Sequence, residues 1–131
     1  MRTARRELLA PRADVWAFFA EPNHLTDWWP GILGVVPDRR GFAPGARWTV
    51  RVRTHNVFTG RGVRESTLLI RDIDLYERWT WHVLAGKLDV ELRLQGRGDR
   101  TLVTCTTSGR SRLPERALQG LYDLLQTAAS L

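Results

Sequence analysis

"ERWTWHVLAGKLDVELRLQ", residues 77–95, alternates apolar and polar residues on both sides of an Ala-Gly pair. A period of two marks a strand with one buried and one solvated face. A two-residue turn at Ala85-Gly86 folds the stretch into a hairpin. Trp79 then stands opposite Leu92, Trp81 opposite Val90 and Val83 opposite Leu88, while Thr80 faces Glu91 and His82 faces Asp89. Apolar meets apolar and polar meets polar, and a slip of one residue would exchange the faces. An even-length turn around "GRGD" (96–99) extends the pattern, bringing Val103 and Cys105 beside Leu94 and Leu92.

The same period governs the segments before the hairpin. In "ARWTVRVRTH" (46–55), Trp48, Val50 and Val52 share one face and Arg47, Thr49, Arg51 and Arg53 the other. "GVRESTLLIRDI" (62–73) continues the sheet, but its apolar residues run together and leave two registers open. One points Glu65 and Thr67 inward, the other Arg64 and Ser66. Upstream, "RTARRELLA" (2–10) reads as a weak first strand and "GILGVVPD" (31–38) as a short one, followed by the Pro/Gly loop "DRRGFAPG".

Helices sit at the two ends of this array. Pro11 opens "PRADVWAFFAE", which ends near Pro22 and aligns Val15, Phe18 and Phe19 on one face. A second short helix runs from Asn23, a candidate N-cap, to Trp29, and Pro30-Gly31 stops it. "LPERALQGLYDLLQTAASL" (113–131) is a long helix with Pro114 in its first turn and a stripe of Leu118, Leu121, Tyr122, Leu125 and Ala128. The class is therefore α+β: an antiparallel sheet with an arginine-rich face and an aromatic face, which only the last helix is long enough to cover. A single helix does not fill a strongly curved sheet, so the expectation is a cavity between the two.

Composition narrows the function classes. The 131 residues suit one domain, residues 1–131, and 43% hydrophobic with 26% charged residues is ordinary for a globular protein. No apolar run reaches membrane-spanning length, and "MRTARRELLAP" lacks the apolar core of a secretory signal, so a cytoplasmic protein without integral membrane association is expected. Cys105 is the single cysteine, which excludes an internal disulfide and a cysteine-rich zinc site. The net charge of +6 comes from 20 basic residues, all arginine except Lys87, scattered singly or in pairs. Nucleic-acid partners are not expected from so dispersed a charge. His24, His55 and His82 share no spacing with carboxylates, so neither a metal nor a cofactor is expected.

"LLAPRADVWAFFAEPNHLTDWWPGI" (8–32) resembles the opening of the START/Bet v 1-like (SRPBCC) proteins, especially their polyketide cyclase/dehydrase branch. "DIDLYERWTWHVLAG" and "GRGDRTLVTCTT" resemble the fifth strand and the later hairpin of that family, so the likeness spans essentially the whole chain. Order and spacing carry it, not any one motif. The resemblance implies a helix-grip fold: about seven antiparallel strands curled around a long C-terminal helix, with two short helices after the first strand closing one end. It also implies an internal site for lipids, sterols, quinones, polyketides or hormones, and in some members cyclisation or dehydration there. Because the last helix ends at Leu131, the grip is expected to be short and open at one end.

On that template Trp28 occupies the family's tryptophan position and plugs the core, while Trp29 faces the loop-rich mouth. Trp48, Trp79 and Trp81 are either core filling or the aromatic wall of a pocket. With Val50, Val52, Leu92, Val103, Cys105, Leu118 and Tyr122 they form the expected ligand-contacting set. Glu65, as an inward carboxylate, and His55, near the mouth, are the acid/base candidates, and Tyr122 is a hydroxyl donor. The leading function is binding of a small hydrophobic molecule (aromatic, polycyclic or lipid-like) by a monomer or homodimer. The alternatives are a polyketide cyclase/dehydratase-type enzyme acting in that cavity, and a protein-interaction module whose core is filled by its own tryptophans.

Overall fold

The hairpin of residues 77–95 closes in the register its alternation dictates. In the computed structural model, which describes the backbone of residues 1–56 and 60–129 and the side chains of 1–54 and 62–126, Trp79 pairs with Leu92, Trp81 with Val90 and His82 with Asp89. The connection is four residues, 84–87, instead of two, with Gly86 at φ 75° and Lys87 at φ 50°. Adding one residue to each side of the turn leaves the facing pairs unchanged. The next turn is a two-residue one at Gly98-Asp99, with Gly98 at φ 69° as such turns require. It sets Leu92 against Cys105 and Leu94 against Val103.

The strands are β1 (Arg2–Leu8), β2 (Ile32–Val36), β3 (Arg47–Asn56), β4 (Gly60–Asp74), β5 (Arg78–Val83), β6 (Leu88–Arg97) and β7 (Arg100–Thr107). All pair antiparallel in one seven-stranded sheet of order β1-β7-β6-β5-β4-β3-β2. Helices α1 (Arg12–Ala20) and α2 (Leu25–Trp28) follow β1, and α3 (Leu113–Ala129) follows β7. This is the helix-grip fold.

The strand with open register settles against Glu65. Trp48 pairs with Leu68, Val50 with Ser66 and Val52 with Arg64, so Ser66 and Arg64 share the inner face while Glu65, beside Arg51, is on the outer, solvated one. The ambiguity has a physical source: a bulge at Arg71 interrupts the pairing between Ile70 and Asp72. One extra residue switches parity, so Leu68, Ile70 and Ile73 all face inward although their spacing breaks the period of two.

Three local details also differ from the sequence reading. Trp16 takes the buried place beside Val15 and Phe19 in α1, and Phe18 is only half-buried. The turn Pro22–His24 is a separate 3-10 segment, in which the Glu21 carboxylate accepts the Asn23 N–H at 3.2 Å. Glu21, not Asn23, is thus the cap. In α3, Ala117, Leu118, Leu121 and Leu125 are buried over β1 and β7 and against α2. Tyr122 packs half-buried at the margin of the core, where the Arg6 guanidinium of the edge strand lies 4.0 Å from its ring centre. Arg6 also donates to Gln119 at 2.6 Å, and Arg2 holds Glu115 at 2.7 Å, so α3 is fastened to β1 by polar contacts along its outer side.

Gly120 fixes how closely α3 approaches α2. A Cβ placed there would stand 2.8 Å from the backbone carbonyl oxygen of Trp28. Only glycine fits this seam without displacing the helix.

Candidate functional site

The inner face of the sheet is filled at its centre. All six tryptophans are buried; five of their rings form a continuous chain of contacts, which Trp16 joins through Phe19 and Phe42. Trp79 and Trp81 lie 4.2 Å apart between centroids, Trp81 and Trp29 5.0 Å, and Trp29 and Trp28 5.6 Å. Phe19 stacks on Trp28 at 5.5 Å, and Phe42 meets Trp79 edge-on at 5.0 Å. Tilted and edge-to-face geometries of this kind add to the burial of the rings themselves. The Trp48 indole donates to the Gly41 carbonyl at 2.8 Å, whereas the indole N–H groups of Trp28, Trp79 and Trp81 find no acceptor among the described residues.

Most of the expected contact set therefore packs as core. Trp48, Val50, Trp79, Trp81, Leu92, Val103, Cys105 and Leu118 are buried against one another in this cluster. Cys105 is wholly enclosed; burial, with a smaller contribution from the charge of Glu115, pushes its thiol up to about 12. At that value it is no nucleophile at neutral pH.

Open space begins where the rings end. A cleft of about 290 Å³ lies between β2, β3, the β5–β6 turn and the first residue of α3, and is lined by Trp29, Ile32, Val52, Val83, Leu88 and Leu113 among others. Arg53, Thr54 and Arg64 form its polar rim. Of the expected contact residues, Trp29 and Val52 reach it. Ile32, Val83, Leu88 and Leu113 were not anticipated as contacts: the alternation pairs Val83 with Leu88, but only the folded chain brings that pair to Ile32 and Leu113.

The acid/base candidates do not converge here. Glu65 is on the outer face, Tyr122 is under Arg6 at the sheet edge, and the side chain of His55 lies outside the described residues. His82 bonds Asp89 at 2.8 Å on the outer face, and His24 lies 3.5 Å from Asp27. Among the described residues no group of three or more His, Cys, Asp or Glu side chains is placed to hold a metal ion. Likewise, none of the described helices is long and apolar enough to cross a membrane.

Two larger hollows, each about 520 Å³, are more open than the cleft. One lies on the outer sheet face among Arg71, Asp72, Thr80 and Glu91. The other lies beside α1, among Ala17, Phe18, His24 and Leu125.

Comparison with known proteins agrees with this architecture. A protein of Nitrosomonas europaea, 17% identical, superposes with a TM-score of 0.69 over 99% of this chain and 96% of its own. CalU16 from Micromonospora echinospora, 21% identical, gives 0.67 over 98% and 77%. A point mutant of Thalictrum flavum norcoclaurine synthase, solved with a transition-state analogue, is 14% identical and gives 0.69 over 98% and 94%. No curated protein matches by sequence. The model of one family, described as Activator of Hsp90 ATPase homolog 1-like protein, matches residues 9–125. With that match over most of its length, and with a seven-stranded grip around its last helix, the chain belongs to the Activator of Hsp90 ATPase homolog 1-like family of the START/Bet v 1-like superfamily.

Proposed function

We propose that the protein binds a small hydrophobic molecule, aromatic or lipid-like, in the cleft at the mouth of the grip. The observation that carries this reading is the apolar lining beside Trp29, which stays open although the centre of the same face is packed with rings. At about 290 Å³ the cleft is just below the usual range for ligand sites, about 300–1,000 Å³. A guest of one or two fused rings, or a short aliphatic chain, suits it. The compartment is the cytoplasm, where a lone reduced thiol such as Cys105 is the ordinary state.

The test uses Prodan, an uncharged naphthalene fluorophore of two fused rings. It should bind at one equivalent and raise the melting temperature, because a ligand that prefers the folded state stabilises it by mass action. Trp29→Ala should weaken binding, and Val52→Trp should block the cleft and abolish it. Absence of binding to the native protein, or binding that survives Val52→Trp, would end the reading.

A second reading, an interaction module with a filled core, draws on a specific observation: Trp28, Trp48, Trp79 and Trp81 already occupy the centre of the grip. Failure of apolar probes to bind favours it. A cyclase or dehydratase needs an acid or base beside the guest, and neither Glu65 nor Tyr122 stands at the cleft.

A further inference from the structure

Several arginines of this sheet are matched with carboxylates, whereas others, such as Arg5, Arg47 and Arg51 on its outer face, are not among the described residues. Arg2 holds Glu115, Arg78 holds Asp74, Arg93 holds Glu91, and Arg97 and Arg100 share Glu7. Arg53 and Arg64 form no such pair among the described residues, and both line the mouth cleft, whose lining includes no Asp or Glu. Arg64 is the more telling of the two. It stands on the inner face opposite Val52, at a position where alternation with Leu68 and Ser66 continues the lining of the grip. Ser66, the inner residue before it, is already engaged, its hydroxyl accepting the Ala85 N–H at 2.8 Å. An unmatched guanidinium thus borders an apolar floor.

We infer that the guest of this cleft is an organic acid: an apolar body seated between Trp29, Val52, Val83 and Leu88, with its carboxylate on Arg64. The inference rests on the cleft being the binding site. The guanidinium presents a planar fork of donors matched to the two oxygens of a carboxylate, and it keeps its charge at any physiological pH. Arg53, on the rim, adds charge of the same sign. The cleft volume limits the acid to a small free molecule and leaves no room for a two-chain lipid.

The experiment compares 2-naphthoate with its methyl ester, which share a ring system and differ in charge, by calorimetry at low salt. Hydrogen bonds to a charged group are worth enough for at least a tenfold preference for the acid. Arg64→Gln should bring the acid to the affinity of the ester and leave the ester unchanged. Arg51→Gln, which removes the same charge from the outer face of the neighbouring strand, should leave both as they are. Equal binding of acid and ester to the native protein overturns the inference and leaves the cleft reading standing. So does an equal loss in Arg64→Gln and Arg51→Gln, which would mark a general charge effect. If neither compound binds, the cleft reading falls and this inference with it. Both arginines are exposed, so the variants should melt close to the native protein.

Discussion

Centre and mouth of the grip are built on the same strands and differ in side-chain size. Along β3 the inner residues run Trp48, Val50, Val52; along β4 they run Leu68, Ser66, Arg64; along β5 they run Trp79, Trp81, Val83. On β3 and β5 the tryptophans stand at the end away from the cleft, although the two strands are staggered, with Val83 level with Trp48 across Leu68. β3 and β5 therefore each taper from tryptophan to valine toward the cleft, while β4 dips to Ser66 and ends on the long, exposed Arg64, and the cleft opens where the rings run out. The alternation that specifies a sheet does not by itself make a pocket. What leaves room is the replacement of tryptophan by valine on the two strands that flank β4, because close packing elsewhere admits almost none.

The largest test of this contrast is at the centre. Trp79 touches Phe19, Phe42, Trp48 and Trp81, and Trp79→Ala should cost about 3–5 kcal/mol in denaturant unfolding. A loss below about 1 kcal/mol would mean that the rings do not carry the core. Next in size is the seam beside the mouth. Gly120→Ala drives a methyl group against the Trp28 carbonyl and should cost roughly 1–3 kcal/mol, unless α3 can shift freely. The smallest effect belongs to the polar fastening of α3. The hydrogen bond from Arg2 holds the Glu115 carboxyl below its ordinary value, so its contribution is present above about pH 4.5 and lost as pH falls through the lowered folded value. Melting temperature should consequently fall less between pH 6 and pH 3 in Glu115→Gln than in the native protein. Identical pH profiles would remove Glu115 from the account.

How much of this could be read from the chain depended on local regularity. The β5–β6–β7 register was legible because apolar and polar residues alternate there without a break from Arg78 to Val83 and again from Leu88 to Leu94. β4 was not, because the bulge at Arg71 switches parity in the middle of an apolar run and leaves Glu65 and Arg64 equally plausible as inward groups. For Tyr122 the limit was of a different kind. A helical stripe gives the angle of a side chain about its own axis and nothing about how far α3 sits toward the sheet edge, where Arg6 waits. Trp29 was placed at the mouth by the family template, whereas its partners Val83, Leu88 and Leu113 are distant in sequence and meet only after folding. The unmatched state of Arg64 is a property of its neighbours, and no spacing in the sequence encodes it.

Cys105 makes the closed centre a clock. Its thiol is sealed beneath α3 and held protonated by that enclosure, so an alkylating reagent has neither access nor a thiolate to attack. Each labelling event must then wait for the grip to come apart far enough to wet β7, and the labelling rate multiplies the fraction of time spent open by the reactivity of an ordinary thiol. As the single cysteine in the chain, it reports that opening without a competing signal. A guest at the mouth that braces α3 against the sheet would slow the clock without touching the sulfur.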